Sequence, residues 1–397
     1  CRRFGGPALG LLGTCLFLLT PYIYLDVAVR GAWSELLACM FLPWVIFFLI
    51  GLREDAIAGK MPLLSVGGLG LGLAMVVISH PVVAIFCAIM MCVLAAGLVA
   101  ELWQKKQFIE SARFAINAGL AGILSLLLSM PYWWPVFALD NFVNLDAAKN
   151  GYFMAENHTV FLSQLFSPFW GFGVSVPGVD DTLSFQLGLP HFILVVVGAI
   201  RVLIKPSSIF FVFVLVLYAL VITAMLPFSS GLWSFPLLEM AQFPWRLLGI
   251  TMVLQVLLLA GSAKLFNKLG QLSLPVVIIL IAMSGWWYSD QFTAVPMIKN
   301  FNASNLKWLQ QADANKFVSY SSANEFLPQT AFRVKGLKSI GKKQKVLAAH
   351  GVIVNYDEST NHRISIYVDS ISDHGNVQIN QFYFPGWVVL VDGQRLD

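Results

Sequence analysis

The chain has 397 residues, 58% of them hydrophobic and only 12% charged, with a mean hydropathy of +0.74. Soluble domains hold their apolar fraction near one half, so composition excludes a soluble globular protein and points to an integral membrane protein. The formal net charge of +4 is small, and the Lys and Arg residues sit beside apolar runs, which excludes nucleic acid as a partner and makes the charges topology signals.

A helical span needs about 20 mostly apolar residues. Nine such runs can be placed, at 7–25, 35–51, 62–79, 82–100, 112–130, 189–204, 208–227, 245–263 and 273–290. Position 1 is Cys, and Arg2 and Arg3 lead into the first run with no small-residue cleavage site, so the chain reads as a fragment lacking its original N-terminus. Basic residues then recur at every second turn: Arg53 and Lys60, then Lys105, Lys106 and Arg113, then Arg201 and Lys205, then Lys264 and Lys268. The positive-inside rule makes those turns cytoplasmic. The intervening connectors are therefore outside, namely 26–34, the His80-Pro81 turn, the loop 131–188, the segment 228–244 and everything after 290.

The first outer connector lies in PYIYLDVAVRGAWSELLACMFLP (residues 21–43), which sets Asp26, Arg30 and Glu35 between two apolar runs. Ionisable groups at membrane depth cost a few kcal/mol each on insertion scales. Asp26 and Arg30 are four residues apart, and Gly31 breaks the helix before Glu35, so the three can share one cleft wall. Either Arg30 binds an anion with Asp26 or Glu35 as base or metal ligand, or the three form an ion pair network that neutralises the helix ends.

Further along, SVGGLGLGLAM (65–75) lets helix backbones approach closely, and no strand or Lys-Ser/Thr makes it a nucleotide loop. His80 in VISHPVVA caps the turn before Pro81, as a cleft residue or as a structural one. The loop 131–188 is dense in aromatics (Tyr132, Trp133, Trp134, Phe166, Phe169, Trp170, Phe172) and predicts short helices on the outer surface, roofing a cavity. Asp180 and Asp181 offer a possible divalent-cation site or, as the stronger reading, a charged turn. Asn157-His158-Thr159 and Asn302-Ala303-Ser304 match glycosylation acceptors, a pattern short enough to arise by chance. In LLEMAQFPWRLLG (237–249), Arg246 arrives at the N-terminal end of a span, where the helix dipole disfavours a cation unless an anion is present. A phosphate or a carboxylate contact fits, with Glu239 the expected protein carboxylate. Four of the five cysteines, Cys15, Cys39, Cys87 and Cys92, lie inside apolar runs, which supports neither a disulfide framework nor a Cys metal site.

After Asp290 the pattern changes to alternation with β-branched and aromatic residues, in GKKQKVLAAHGVIVNYD, NHRISIYVDS and NVQINQFYFPGWVVLVDG. The expected fold is therefore an all-α polytopic membrane domain over 1–290, followed by a small extracytoplasmic β-rich domain over 291–397. Asp392-Gly393 is a hairpin signal with only four residues after it, so the returning strand is expected to be missing and the domain truncated.

Taken together, PYIYLDVAVRGAWSELLACMFLP, ISHPVVAI, FSPFWGFG with SFQLG, AQFPWRLLG, NEFLPQ and FYFPGWVVLVDG resemble the bacterial polytopic membrane proteins labelled 6-pyruvoyl-tetrahydropterin synthase-related. These look like GT-C-type membrane glycosyltransferases with a periplasmic β domain. The label does not carry its activity, since pterin synthases are small soluble enzymes with a histidine-bound zinc. The resemblance implies a multi-pass protein of the bacterial inner membrane that transfers a sugar from a polyprenyl-phosphate carrier to a saccharide or other envelope acceptor on the outer face. Arg30 and Arg246 would then meet the carrier phosphate, His80 and Glu239 would line the same cleft, and Asp26 and Glu35 are the catalytic candidates. In GT-C enzymes the usual catalytic carboxylate lies in the first outer loop, after the first helix, and this fragment is expected to begin beyond it, which makes Asp26 and Glu35 second-rank candidates. Two other classes stay open: a lipid-linked saccharide transporter or flippase, and an assembly protein whose helices only anchor it.

Overall fold

Without water to satisfy them, backbone N–H and C=O groups in lipid must pair within their own segment, so long apolar runs become helices. The computed structural model describes residues 1–143, 150–206, 208–268, 270–289, 346–348, 352–359, 363–370, 377–379 and 385–396. It places a helix in each of the nine apolar intervals: α1 (Arg2–Leu18), α2 (Trp33–Ala58), α3 (Leu63–Ser79), α4 (Pro81–Gln104), α5 (Phe108–Ala138), α6 (Leu189–Ile204), α7 (Ile209–Met225), α8 (Leu248–Gly261) and α9 (Ser273–Trp287). Among the described residues, five stretches are long and apolar enough to cross a membrane: Arg2–Arg30, Trp33–Ala58, Pro81–Gln104, Phe108–Ala138 and Pro244–Gly261. A sixth arises if α7 is joined to Pro227–Ser234, which is bent from it by 92°. The helices α3, α6 and α9, of 17, 16 and 15 residues, are shorter than the nine-span expectation requires.

The chain divides into two compact units, Cys1–Pro135 with Lys149–Thr293, and Val136–Ala148 with Ala294–Asp397. In the first, α8 is the central helix. Apolar except for Thr251 and Gln255, it buries every residue but Val256 and packs against α1, α2, α4, α6 and α7. Consecutive helices run in alternating directions. Arg3 at the start of α1 therefore meets Glu54 near the end of α2 at 3.1 Å, and Arg53 meets Glu101 near the end of α4 at 2.6 Å. The basic turns singled out in the sequence share one end of this bundle, and Asp26, Glu35, His80 and Arg246 share the other.

Glycine sets the closest helix approaches. In the glycine run, Gly68 and Gly72 face Phe48, Trp44 and Val45 of α2, while Gly70 faces Ala121 and Leu124 of α5. At Gly198, a Cβ would stand 2.4 Å from the Leu258 carbonyl oxygen of α8.

The outer loop forms short helices as expected, including Leu162–Phe166. Two expectations are corrected. The helix α5 does not stop at residue 130 but continues through Pro131 and Pro135 to Ala138, so Tyr132, Trp133 and Trp134 are helical. A proline inside an apolar helix forfeits one backbone bond, a loss that membrane helices tolerate. Second, the returning strand exists. In the second unit β5 (Val389–Val391) pairs antiparallel with β6 (Gln394–Leu396) across Asp392-Gly393, both at positive φ as a type I′ hairpin demands. Two further antiparallel pairs, β1 (Val346–Ala348) with β4 (Val377–Ile379) and β2 (Val352–Ser359) with β3 (Ile364–Ser370), make this a small C-terminal β region. NEFLPQ and the Asn302 acceptor lie outside the described residues.

Gly198→Ala should lower the thermal stability of the detergent-solubilised protein by about 1–3 kcal/mol, because the α6–α8 backbones would have to part. Gly67→Ala, where an added Cβ meets nothing within 4 Å, should be neutral or stabilising in the same melting experiment.

Candidate functional site

Four local devices bring charges to one point. After Thr20, in extended conformation, Pro21 restarts the helix as Pro21–Tyr24, which widens into a π-helical turn over Leu25–Arg30. Gly31 ends that turn in the left-handed region (φ 62°), and the Ala32 N–H donates to the Asp26 carbonyl at 2.8 Å. This reversal folds Arg30 back over Glu35 in the first turn of α2, where the helix dipole favours an anion. His80 caps α4, its Nδ1 accepting from the Val83 N–H at 3.3 Å. Arg246 lies in the 3-10 turn Pro244–Leu247, which runs directly into the central helix α8.

Glu35, 1% exposed, is the hub. Its Oε1 accepts from the Tyr22 hydroxyl at 2.5 Å. Its Oε2 accepts from Arg30 Nη2 at 2.8 Å and lies 3.3 Å from Arg246 Nε and 3.8 Å from His80 Nε2. Arg30 Nη1 donates to Asp26 Oδ1 and, at 3.3 Å, to the Tyr22 oxygen. The other oxygen of Asp26, Oδ2, is buried and finds no hydrogen-bond partner among the described residues. Both guanidiniums also meet aromatic faces, Arg30 over Trp245 at 4.4 Å and Arg246 over Phe243 at 4.9 Å. Arg246 Nη1 donates to the Ala241 carbonyl at 2.9 Å, and Gln242 holds φ +61° with ψ −45°, a backbone conformation that non-glycine residues adopt at a cost of about 1–3 kcal/mol.

The outer loop closes over this cluster with rings. Phe185 stacks on Trp245 with centroids 5.6 Å apart, and the His158 ring meets Phe243 edge-on at 4.5 Å. His158 is itself fixed, through Nε2 to the Tyr152 carbonyl at 2.6 Å and Nδ1 to Ser175 Oγ at 2.8 Å. Burial holds the His158 imidazole below its ordinary pKa. Ser175, His158 and Asp181 do not form a nucleophile triad. Asp181 accepts from Ser175 Oγ, where a triad would place it on the histidine, and also takes the Val176 and Leu183 N–H groups at 3.0 and 2.9 Å.

Five of the six residues singled out in the sequence, Asp26, Arg30, Glu35, His80 and Arg246, thus gather around one carboxylate. The sixth, Glu239, sits half-buried in a 3-10 turn, and the carboxylate that Arg246 meets is Glu35. A sequence signal for Tyr22 was present, since Tyr22, Asp26 and Arg30 are spaced four apart; His158 carries none beyond its type. Asp181 serves the loop's own backbone, and no group of three or more His, Cys, Asp or Glu side chains among the described residues is arranged to hold a metal ion. All five cysteines are free thiols. No protein-family model matches the chain, and no curated protein or solved structure matches it either.

His80, in the turn between two helices, is held down to about 4 by burial first, with Arg246 and Arg30 adding to the effect and Glu35 opposing it. Its folded pKa lies below the unfolded 6.5, so the unfolded chain binds the extra proton and stability falls as pH drops from 6.5 to 4. Melting temperatures in detergent should decline across that window, and His80→Gln should flatten the decline. In the same assay Glu35→Ala should cost about 3–5 kcal/mol, because it strands Arg246 and leaves Arg30 with Asp26 as its remaining carboxylate.

Proposed function

We propose that the chain is a polyprenyl-phosphate-dependent membrane glycosyltransferase of the GT-C type, with the Asp26–Arg30–Glu35–Arg246 cluster as the place where the carrier's phosphate is held. In this reading all nine apolar helices cross the bilayer and the cluster opens to the outer leaflet of a bacterial inner membrane. The β region then lies on the outer side, and a saccharide or other envelope acceptor meets the sugar there.

The observation that carries the reading is the convergence of Arg30 and Arg246, far apart in the chain, on a single carboxylate oxygen. A guanidinium presents five N–H donors. Arg246 Nε is buried against Glu35 without a well-directed hydrogen bond, so donor capacity remains for a second anion. A phosphate is the chemistry that two guanidinium forks recognise. Of the two candidate carboxylates, Glu35 already serves Tyr22 and both arginines and acts as the anchor. Asp26, with Oδ2 unengaged, is the candidate base. The strained Gln242 backbone beside Arg246 fits a site under functional constraint.

A second reading is favoured by one observation. Two cations and two carboxylates cancel, as expected of a keystone in an assembly protein. Asp26→Asn separates the two, because the amide oxygen can still accept from Arg30. The enzyme reading expects Asp26→Asn membranes to transfer sugar from a polyprenyl-phosphate donor roughly 100-fold more slowly or worse, with the melting temperature nearly unchanged. Unaltered transfer by Asp26→Asn, together with unaltered polyprenyl-phosphate binding by Arg246→Gln, would leave the keystone reading in place.

A further inference from the structure

At the opposite end of the bundle from Glu35 lies a cavity of about 340 Å³, a size at which small-ligand sites begin. Its rim carries Arg3, Arg53 and Lys264 against two carboxylates, Glu54 and Glu101. The balance favours positive charge more than that count suggests, because Glu101 also accepts from Lys105 at 2.5 Å, a residue that does not line the cavity. Arg53 gives Nη2 to Glu101, while its Nε is buried with no hydrogen-bond partner among the described residues. Lys264 is exposed and forms no ion pair among them. Ser208 opens the 17-residue α7 at the same rim, adding the positive end of a helix dipole. Below the rim the wall turns apolar, with Phe4 and Phe211 packed edge to face at 5.3 Å.

Surplus cations over an apolar wall, at the mouth of a helix bundle, match a phosphate group attached to hydrocarbon. We infer that this cavity binds a phosphate-bearing anion, of which a phospholipid headgroup is the form the apolar wall suits. The inference is independent of the sugar-transfer reading, since the two clusters sit near opposite ends of α2. Glu35 and Arg53 are some 18 residues apart along that helix, about 27 Å. A buried guanidinium N–H without an acceptor costs free energy, and a phosphate oxygen would supply the acceptor.

The test uses the delipidated full chain in detergent, titrated with phosphatidylglycerol, phosphatidylcholine or inorganic phosphate, and read by native mass spectrometry and melting temperature. Phosphatidylglycerol should bind and raise the melting temperature more than the zwitterionic phosphatidylcholine does. Lys264→Gln and Arg53→Gln should each weaken it roughly tenfold, the scale of one charge-assisted hydrogen bond. Lys264→Gln keeps the experiment decisive if Arg53→Gln, which also releases Glu101, folds poorly. Inorganic phosphate displacing the lipid would identify a soluble phosphate as the occupant, and failure to displace it would identify the lipid. Binding of no probe, or phosphatidylglycerol binding that Lys264→Gln leaves intact, overturns the inference.

Discussion

One carboxylate holds the first end of this bundle together. Glu35 is reached by a hydroxyl and two guanidiniums from three separate segments, and it sits at the start of a helix whose dipole favours its charge. Removing an ion from water costs several kcal/mol even after relaxation, so none of these groups would be stable at this depth alone. Together they compensate one another. The π-helical turn, the left-handed Gly31 and the strained Gln242 are the backbone distortions by which the chain brings them within reach. Local geometry here follows from the requirement that a buried charge find its partner, and not from helix propensity.

The two ends of the bundle answer the same requirement differently. At the Glu35 end the guanidiniums are also covered by rings: Trp245 lies under Arg30, Phe243 under Arg246, and the outer loop adds Phe185 and His158 behind them. Aromatic faces accept a cation while excluding water, which strengthens every polar contact beneath them. At the other end Arg53, Glu101 and Lys105 are linked by short contacts, yet a cavity stands open beside them. The first arrangement suits groups that must be held in one geometry. The second suits groups that complete their contacts with something from outside.

Much of this was legible in the chain itself. Apolar runs fixed where helices form, because backbone pairing in a nonpolar setting leaves few alternatives, and the recurrence of Lys and Arg at alternate turns anticipated which helix ends share a face. The cluster was legible for the same reason: Asp26, Arg30, Glu35 and Arg246 are too costly at such positions to be incidental. What escaped were features that depend on distance in space. Glu239 is near Arg246 in sequence, but Glu35 is the carboxylate that reaches it. The aromatic-dense stretch after residue 130 read as a loop because a span needs only about 20 residues, whereas α5 runs on through Pro131 and Pro135. The hairpin at Asp392-Gly393 needed only three residues to close, fewer than the pattern seemed to demand.

The orphaned oxygen of Asp26 sets this carboxylate apart from Glu35. A brace between buried charges is most stable when every lone pair has a donor, since an unsatisfied carboxylate oxygen loses its hydration and gains nothing in return. Each oxygen of Glu35 accepts a hydrogen bond and one oxygen of Asp26 does not, although both carboxylates face the same guanidinium. The chain also bears a strained backbone at Gln242, four residues before Arg246. In the proposed reading, a hydroxyl of the bound ligand would supply the donor that the Asp26 oxygen lacks.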